Sequence, residues 1–130
     1  KYVSLELIKH MIKNDMNIKK SKVLLMGLTF KENCPDTRNT KVINIVKELS
    51  ASNITVECFD PWVKSEDEIN NLVKLTTTLN PDTYDAIILA VPHKEFISMD
   101  PKYIRKLCKP KGIIYDLKNI LPKHEADIRL

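Results

Sequence analysis

Hydrophobic and polar positions along this chain switch repeatedly between helical and strand spacing. Leu5, Ile8, Ile12 and Met16 recur at helical intervals, with Lys9, Lys13 and Asn14 elsewhere, which predicts an amphipathic helix burying that stripe. Asn17 and the Lys19-Lys20-Ser21 stretch break the pattern. A continuous apolar run, Val23 to Met26, then ends at Gly27 and predicts a buried strand over residues 22–27. Val42, Ile45, Val46 and Leu49 form a one-faced helical stripe that Ser52-Asn53 closes. A second strand spans residues 55–59 and stops at Asp60-Pro61. Ser65 and Glu68 have the spacing of a capping box for a short helix, and residues 73–75 form a third strand. Asn80-Pro81-Asp82 turns the chain into the apolar run 86–91, the pattern of a central parallel strand. Asp100 before Pro101 starts a helix with Ile104, Leu107 and Cys108 inward, ended by Lys109-Pro110-Lys111-Gly112. Residues 112–116 are the last clear strand, and Pro122 opens a short terminal helix.

Alternation of this kind predicts an open, doubly wound parallel sheet with helices on both faces. Right-handed crossovers then line the loops after each strand along one edge, where such sheets hold ligands. That edge collects Lys31, Asp60, His93 and Lys118. The chain has 130 residues, 15.0 kDa and a net charge of +4. Its basic stretches are short, scattered and without interleaved aromatics, which describes a solvated surface and argues against nucleic acid. The apolar runs fall far short of the roughly 20 residues that cross a bilayer, so no membrane association is expected. No basic-then-apolar leader opens the chain, and three unpaired cysteines fit a reducing cytoplasm. With only two glycines, Gly27 and Gly112, a G-x-G-x-x-G fingerprint is impossible, so a self-sufficient NAD site of the usual kind is not expected. The first residue is not methionine and the opening reads as mid-helix, the expectation for a piece of a longer protein.

Candidate chemistry concentrates in KVLLMGLTFKENCPDTR, residues 22–38: a strand, a glycine, a turn bearing Lys31, Asp36 and Arg38, then a helix. Lys31 and Arg38 flank the predicted helix start, where backbone N–H groups and basic side chains would converge on an anion. The alternative is that Arg38 pairs with Asp36 and ties down the loop. Lys118 emerges at the same edge, as a surface lysine or, with Lys31 on a neighbouring strand, as a clamp on a diphosphate. Asp116 would orient that lysine or accept from a loop N–H. His93 suits a general base or a loop hydrogen-bonder; with no carboxylate partner identifiable, the structural role is expected. His10 and His124 read as surface residues. Cys34 lies beside basic residues but lacks a base to activate it, Cys58 and Cys108 read as core, and all three are expected to be non-catalytic. Trp62 reads as packing, and no residue spacing suggests a metal site.

The run GLTFKENCPDTRN (residues 27–39) resembles the G-[LF]-[AT]-F-K-x-[ND]-x-x-D-x-R-x signature that opens the C-terminal domain of the UDP-glucose/GDP-mannose dehydrogenase family. FDP at 59–61, AVPHKEF at 90–96 and YDLKNIL at 115–121 follow in the family's order. The resemblance implies a Rossmann-like α/β fold, with residues 1–20 as the end of the family's central dimerisation helix and its linker, and residues 21–130 as the UDP-sugar-binding domain. It implies an NAD-dependent UDP-sugar 6-dehydrogenase of bacterial surface polysaccharide synthesis, a homodimer or larger, oxidising the C6 alcohol to a carboxylate. NAD would sit mainly on an N-terminal domain that also supplies the catalytic cysteine, so this fragment alone is expected to be inactive. By motif, Phe30 and Lys31 would contact the nucleotide sugar, and Arg38 would reach across the cleft to NAD. Lys118 stands where many members carry an arginine, whose forked contact lysine cannot make. The AVPHKEF and DLK wording is closest to the branch acting on UDP-N-acetylhexosamines, with UDP-glucose as the alternative substrate. A non-enzymatic nucleotide-binding or receiver-like module is the rival; a receiver needs acids right after the first strand, and here Gly27, Leu28 and Thr29 come first.

Overall fold

The computed structural model describes residues 1–38 and 40–130; Asn39, the last residue of the first motif, lies outside the described residues. The elements run α1 (Tyr2–Lys13), β1 (Lys22–Met26), α2 (Val42–Ala51), β2 (Thr55–Phe59), β3 (Lys74–Leu75), β4 (Tyr84–Leu89), α3 (Lys94–Ile97), α4 (Pro101–Leu107), β5 (Cys108–Asp116) and β6 (Ile128–Arg129). Single 3-10 turns lie at Ile18–Lys20, Glu68–Asn71 and Lys123–Glu125. The six strands form one sheet in the order β3-β2-β1-β4-β5-β6, and every pairing is parallel.

Strand side chains alternate between the two faces, and each face has its own core. Val23, Leu25, Val56, Ala86 and Ile88 pack under α1 and α2, through Leu7, Met11, Ile45, Val46 and Leu49. Leu24, Met26, Ile87, Leu89 and Ile114 pack under α3 and α4, through Phe96, Ile104 and Leu107. Helices therefore cover both faces, as the alternation predicts. Asp100 caps α4 by accepting from Lys102 N, with Pro101 in the first turn.

Four local expectations change. In α1 the sheet-facing stripe is Ser4, Leu7 and Met11, whereas Leu5 and Ile12 are 54% and 58% exposed. The 3-10 turn Glu68–Asn71 is capped by Asp67, whose carboxylate accepts from Ile69 N; Ser65 donates to Glu66 instead. Cys108 begins β5 rather than continuing α4, pairing with Tyr84 before the register shifts so that Ile113 faces Ala86. Gly112 permits this, since a Cβ there would collide with the Cys108 side chain and crowd Lys109 O. Finally, Pro122 opens a single 3-10 turn, not a helix proper.

Candidate functional site at the carboxyl edge of the sheet

The strands end on one edge, and β1 supplies its central loop. Gly27 turns the chain there with φ +101°, and a Cβ at this position would lie 2.6 Å from Val91 Cβ, so the close approach and the backbone both require glycine. Gly27 N donates to Phe59 O and Ala90 N to Met26 O, joining the ends of β1, β2 and β4.

Asp60, at the end of β2, anchors the start of the β1 loop. Its Oδ2 accepts from Leu28 N (2.6 Å), Thr29 N (3.1 Å) and His93 Nε2 (2.9 Å), and its Oδ1 accepts from Trp62 N (2.8 Å). Burial alone would raise the Asp60 carboxyl, but the hydrogen bond from His93 and those from the backbone outweigh it and hold it below the ordinary carboxylate range. His93 is fully buried, and its Nδ1 accepts from Asn33 N at 2.9 Å. That bond assigns the ring proton to Nε2, which donates to Asp60 with Thr29 Oγ1 at 3.2 Å. Trp62 stacks on His93 at 6.0 Å and donates its indole N–H to Glu95, so it packs as expected.

Between these anchors the chain arches outward. Thr29 Oγ1 donates to Lys31 O and Phe30 N to Asp36 O, while Phe30 is 56% exposed and Lys31 is also exposed. Arg38 N and Nε both donate to Asp36 Oδ1, and Nη2 donates to Oδ2. The Arg38 hydrogen bond holds the Asp36 carboxyl low and in turn raises the guanidinium. The loop-tying reading of this pair is therefore realised. Lys31 and Arg38 do not flank a helix start, because α2 begins only at Val42. A groove of about 690 Å³ separates Pro35, Thr37 and Arg38 from Lys64, Ile69 and Leu72.

At the end of β5, buried Asp116 accepts from Lys118 N and Ile120 N through Oδ1, and from Leu121 N through Oδ2. Asp116 thus shapes the turn that raises exposed Lys118. Lys31 and Lys118 share the carboxyl edge, but their strands are not neighbours: β4 lies between β1 and β5. Two strand spacings of about 4.8 Å put those strand axes about 10 Å apart. Burial pushes the thiols of Cys58 and Cys108 up to about 12, which keeps both protonated and non-nucleophilic near neutrality. Among the described residues, no cluster of three or more His, Cys, Asp or Glu is placed to hold a metal ion, and no helix is long and apolar enough to cross a membrane.

Sequence reasoning missed the Asp60–His93 pair. Both residues were on the correct edge, but their contact depends on β2 and β4 flanking β1, and strand order is not written in the local pattern.

An all-parallel sheet layered by helices on both faces, with a glycine-hinged basic arch at its carboxyl edge, defines a Rossmann-like α/β domain. Similarity to known proteins narrows the class. The chain belongs to the UDP-glucose/GDP-mannose dehydrogenase family, whose UDP binding domain matches residues 24–123. It is 49% identical to the UDP-N-acetyl-D-glucosamine 6-dehydrogenase of Pseudomonas aeruginosa and 46% identical to that of Salmonella typhi, covering 99% of this chain and 31% of each relative. The chain thus spans under a third of the length of these relatives. Among solved structures, the UDP-D-ManNAc dehydrogenase of Pyrococcus horikoshii superposes with a TM-score of 0.69 at 26% identity, over 90% of this chain and 26% of that one. An NDP-N-acetyl-D-galactosaminuronic acid dehydrogenase from Methanosarcina mazei shares the fold with a TM-score of 0.77 at 20% identity, over 92% of this chain and 25% of that one.

Proposed function

We propose that this chain is the substrate-binding portion of an NAD-dependent UDP-sugar 6-dehydrogenase acting on a UDP-N-acetylhexosamine, with UDP-glucose as the alternative substrate. The observation that carries this reading is the arch after β1, which raises Phe30 and Lys31 into solvent at the ligand edge while its flanking residues are locked into the sheet. Likeness to two UDP-N-acetyl-D-glucosamine 6-dehydrogenases across nearly the whole chain supports the choice of sugar.

Lys31 pairs with the pyrophosphate, Phe30 packs against the nucleotide sugar, and Lys118 approaches from two strands away as a single point charge. Arg38 serves the cofactor side of the cleft, and engaging a phosphate there requires it to leave Asp36. The residues present do not form a dinucleotide cradle: β1 is followed by Gly27-Leu28-Thr29 without the further glycines of a G-x-G-x-x-G turn, and the Leu28 and Thr29 N–H groups already donate to Asp60. On this reading NAD is bound mainly by parts of the protein outside residues 1–130, with Arg38 as this chain's contact to it; the nucleophile also lies outside, and the isolated chain shows no turnover. Residues 1–20 belong to the central dimerisation helix and linker of a cytoplasmic homodimer or larger assembly that serves surface polysaccharide synthesis.

Calorimetric titration of the full-length protein with UDP tests the site. Lys31→Ala should weaken binding about tenfold, the scale of one charged hydrogen bond; unchanged affinity overturns the assignment. NADH formation across a panel of UDP-sugars tests the reaction, with the highest kcat/KM expected for a UDP-N-acetylhexosamine. Failure with every UDP-sugar overturns it.

A further inference from the structure

We propose that His93, although sealed from solvent, is the positioning residue that sets the pose of Phe30 and Lys31 toward a nucleoside diphosphate, by tying together both feet of the arch that carries them. The inference rests on the reading of Phe30 and Lys31 as substrate contacts.

One foot of the arch is Thr29. Its N–H donates to Asp60 Oδ2, the oxygen that also accepts from His93 Nε2, and its hydroxyl lies 3.2 Å from the same ring nitrogen. The other foot is Asn33, whose N–H donates to His93 Nδ1. Asn33 Oδ1 then accepts from Lys94 N at 2.8 Å, so the second foot holds two consecutive residues of the segment after β4. One imidazole therefore spans the base of the arch. It gives a proton on one side and takes one on the other, a division that neither asparagine nor glutamine reproduces in full. Trp62 stacked on one side of the ring and Phe96 edge-on at 5.4 Å hold its plane. His93 is 0% exposed and cannot touch a ligand, so any effect it has on binding passes through the arch. A displacement of about 1 Å at a binding side chain is enough to lose much of its contribution.

The test is UDP affinity in the full-length protein, read as a double-mutant cycle. His93→Gln keeps a donor for Asp60 and abandons Asn33; His93→Asn keeps an acceptor for Asn33 and abandons Asp60. Each should weaken UDP binding about tenfold. In a Phe30→Ala, Lys31→Ala background the same His93 substitutions should leave affinity within about twofold, while lowering the melting temperature as much as before. A merely structural histidine would instead lower affinity equally in both backgrounds, and that result overturns the inference, as does wild-type affinity in the single variants. Should the buried variants not fold, Asn33→Ala at an exposed position loosens one foot alone and must show the same dependence on Phe30 and Lys31. If the Phe30→Ala, Lys31→Ala protein itself binds UDP as tightly as wild type, the substrate reading falls first and the His93 role with it.

Discussion

Gly27 concentrates two demands on one residue. Its backbone lies at φ +101° and its missing Cβ leaves room for Val91, so alanine there would meet both a conformational penalty and a collision 2.6 Å from Val91 Cβ. Gly27→Ala should cost about 2–4 kcal/mol in urea denaturation, with a second effect on UDP affinity because the arch starts at the next residues. A loss below about 0.5 kcal/mol would show that the β1 and β4 ends slide apart freely. At this scale, legibility in the sequence depended on separation along the chain. The Asp36–Arg38 pair lies two residues apart and could be named in advance. The Asp60–His93 pair spans 33 positions, and nothing in either neighbourhood announces the other.

The first helix shows how an element can be correct and its buried face only half so: Ile8 and Met16 pack against the core, Leu5 and Ile12 do not. Two rows run along α1: Leu5, Ile8 and Ile12, continued by Met16 past the end of the helix, and Leu7 and Met11 with polar Ser4 in line with them. Periodicity favours the first, which carries four apolar residues against two. The sheet selects the other, because Leu7 and Met11 reach the core beside Leu49 and Tyr115 while Leu5 and Ile12 face outward. Leu7→Ala should therefore destabilise by about 2–5 kcal/mol, whereas Leu5→Ala should stay within about 0.5 kcal/mol in the same denaturation assay. Reversed magnitudes would restore the row read from sequence. Capping failed similarly: Ser65 and Asp67 are both plausible cap residues, and the carboxylate two residues before Ile69 has the reach.

For the molecule as a whole, the layered α/β architecture was legible, since alternating periods leave few other ways to bury both kinds of element, although the short β6 and the one-turn α3 were not. The strand order was not, and with it went the assumption that Lys31 and Lys118 leave adjacent strands. One buried carboxylate records that order. Glu57 on β2 accepts from Tyr84 on β4 and pairs with Lys22 on β1 at 2.9 Å and Lys74 on β3 at 3.1 Å, so it bridges four strands. Burial works against its charge, but hydrogen bonds from Lys22, Tyr84 and Lys74 prevail and hold its carboxyl low. A carboxyl lowered by folding stabilises above its unfolded value, about 4.3, and that contribution disappears as pH falls through the folded value. Glu57→Gln should cost about 1–3 kcal/mol at pH 7, and its gap from wild type should close as urea midpoints are tracked from pH 5 to pH 2. A gap that persists undiminished at pH 2 would assign the effect to shape rather than charge.

The outermost strands, β3 and β6, are each two residues long. A second chain approaching sideways meets almost no free ladder of N–H and C=O groups on which to add a strand. The segments with the greatest capacity for cross-β stacking, the apolar stretches in β1 and β4, occupy the centre of the sheet, sealed on both flanks by neighbours. Resistance to fibril growth is thus built into the order of the strands, and it lapses only when the middle of the sheet opens.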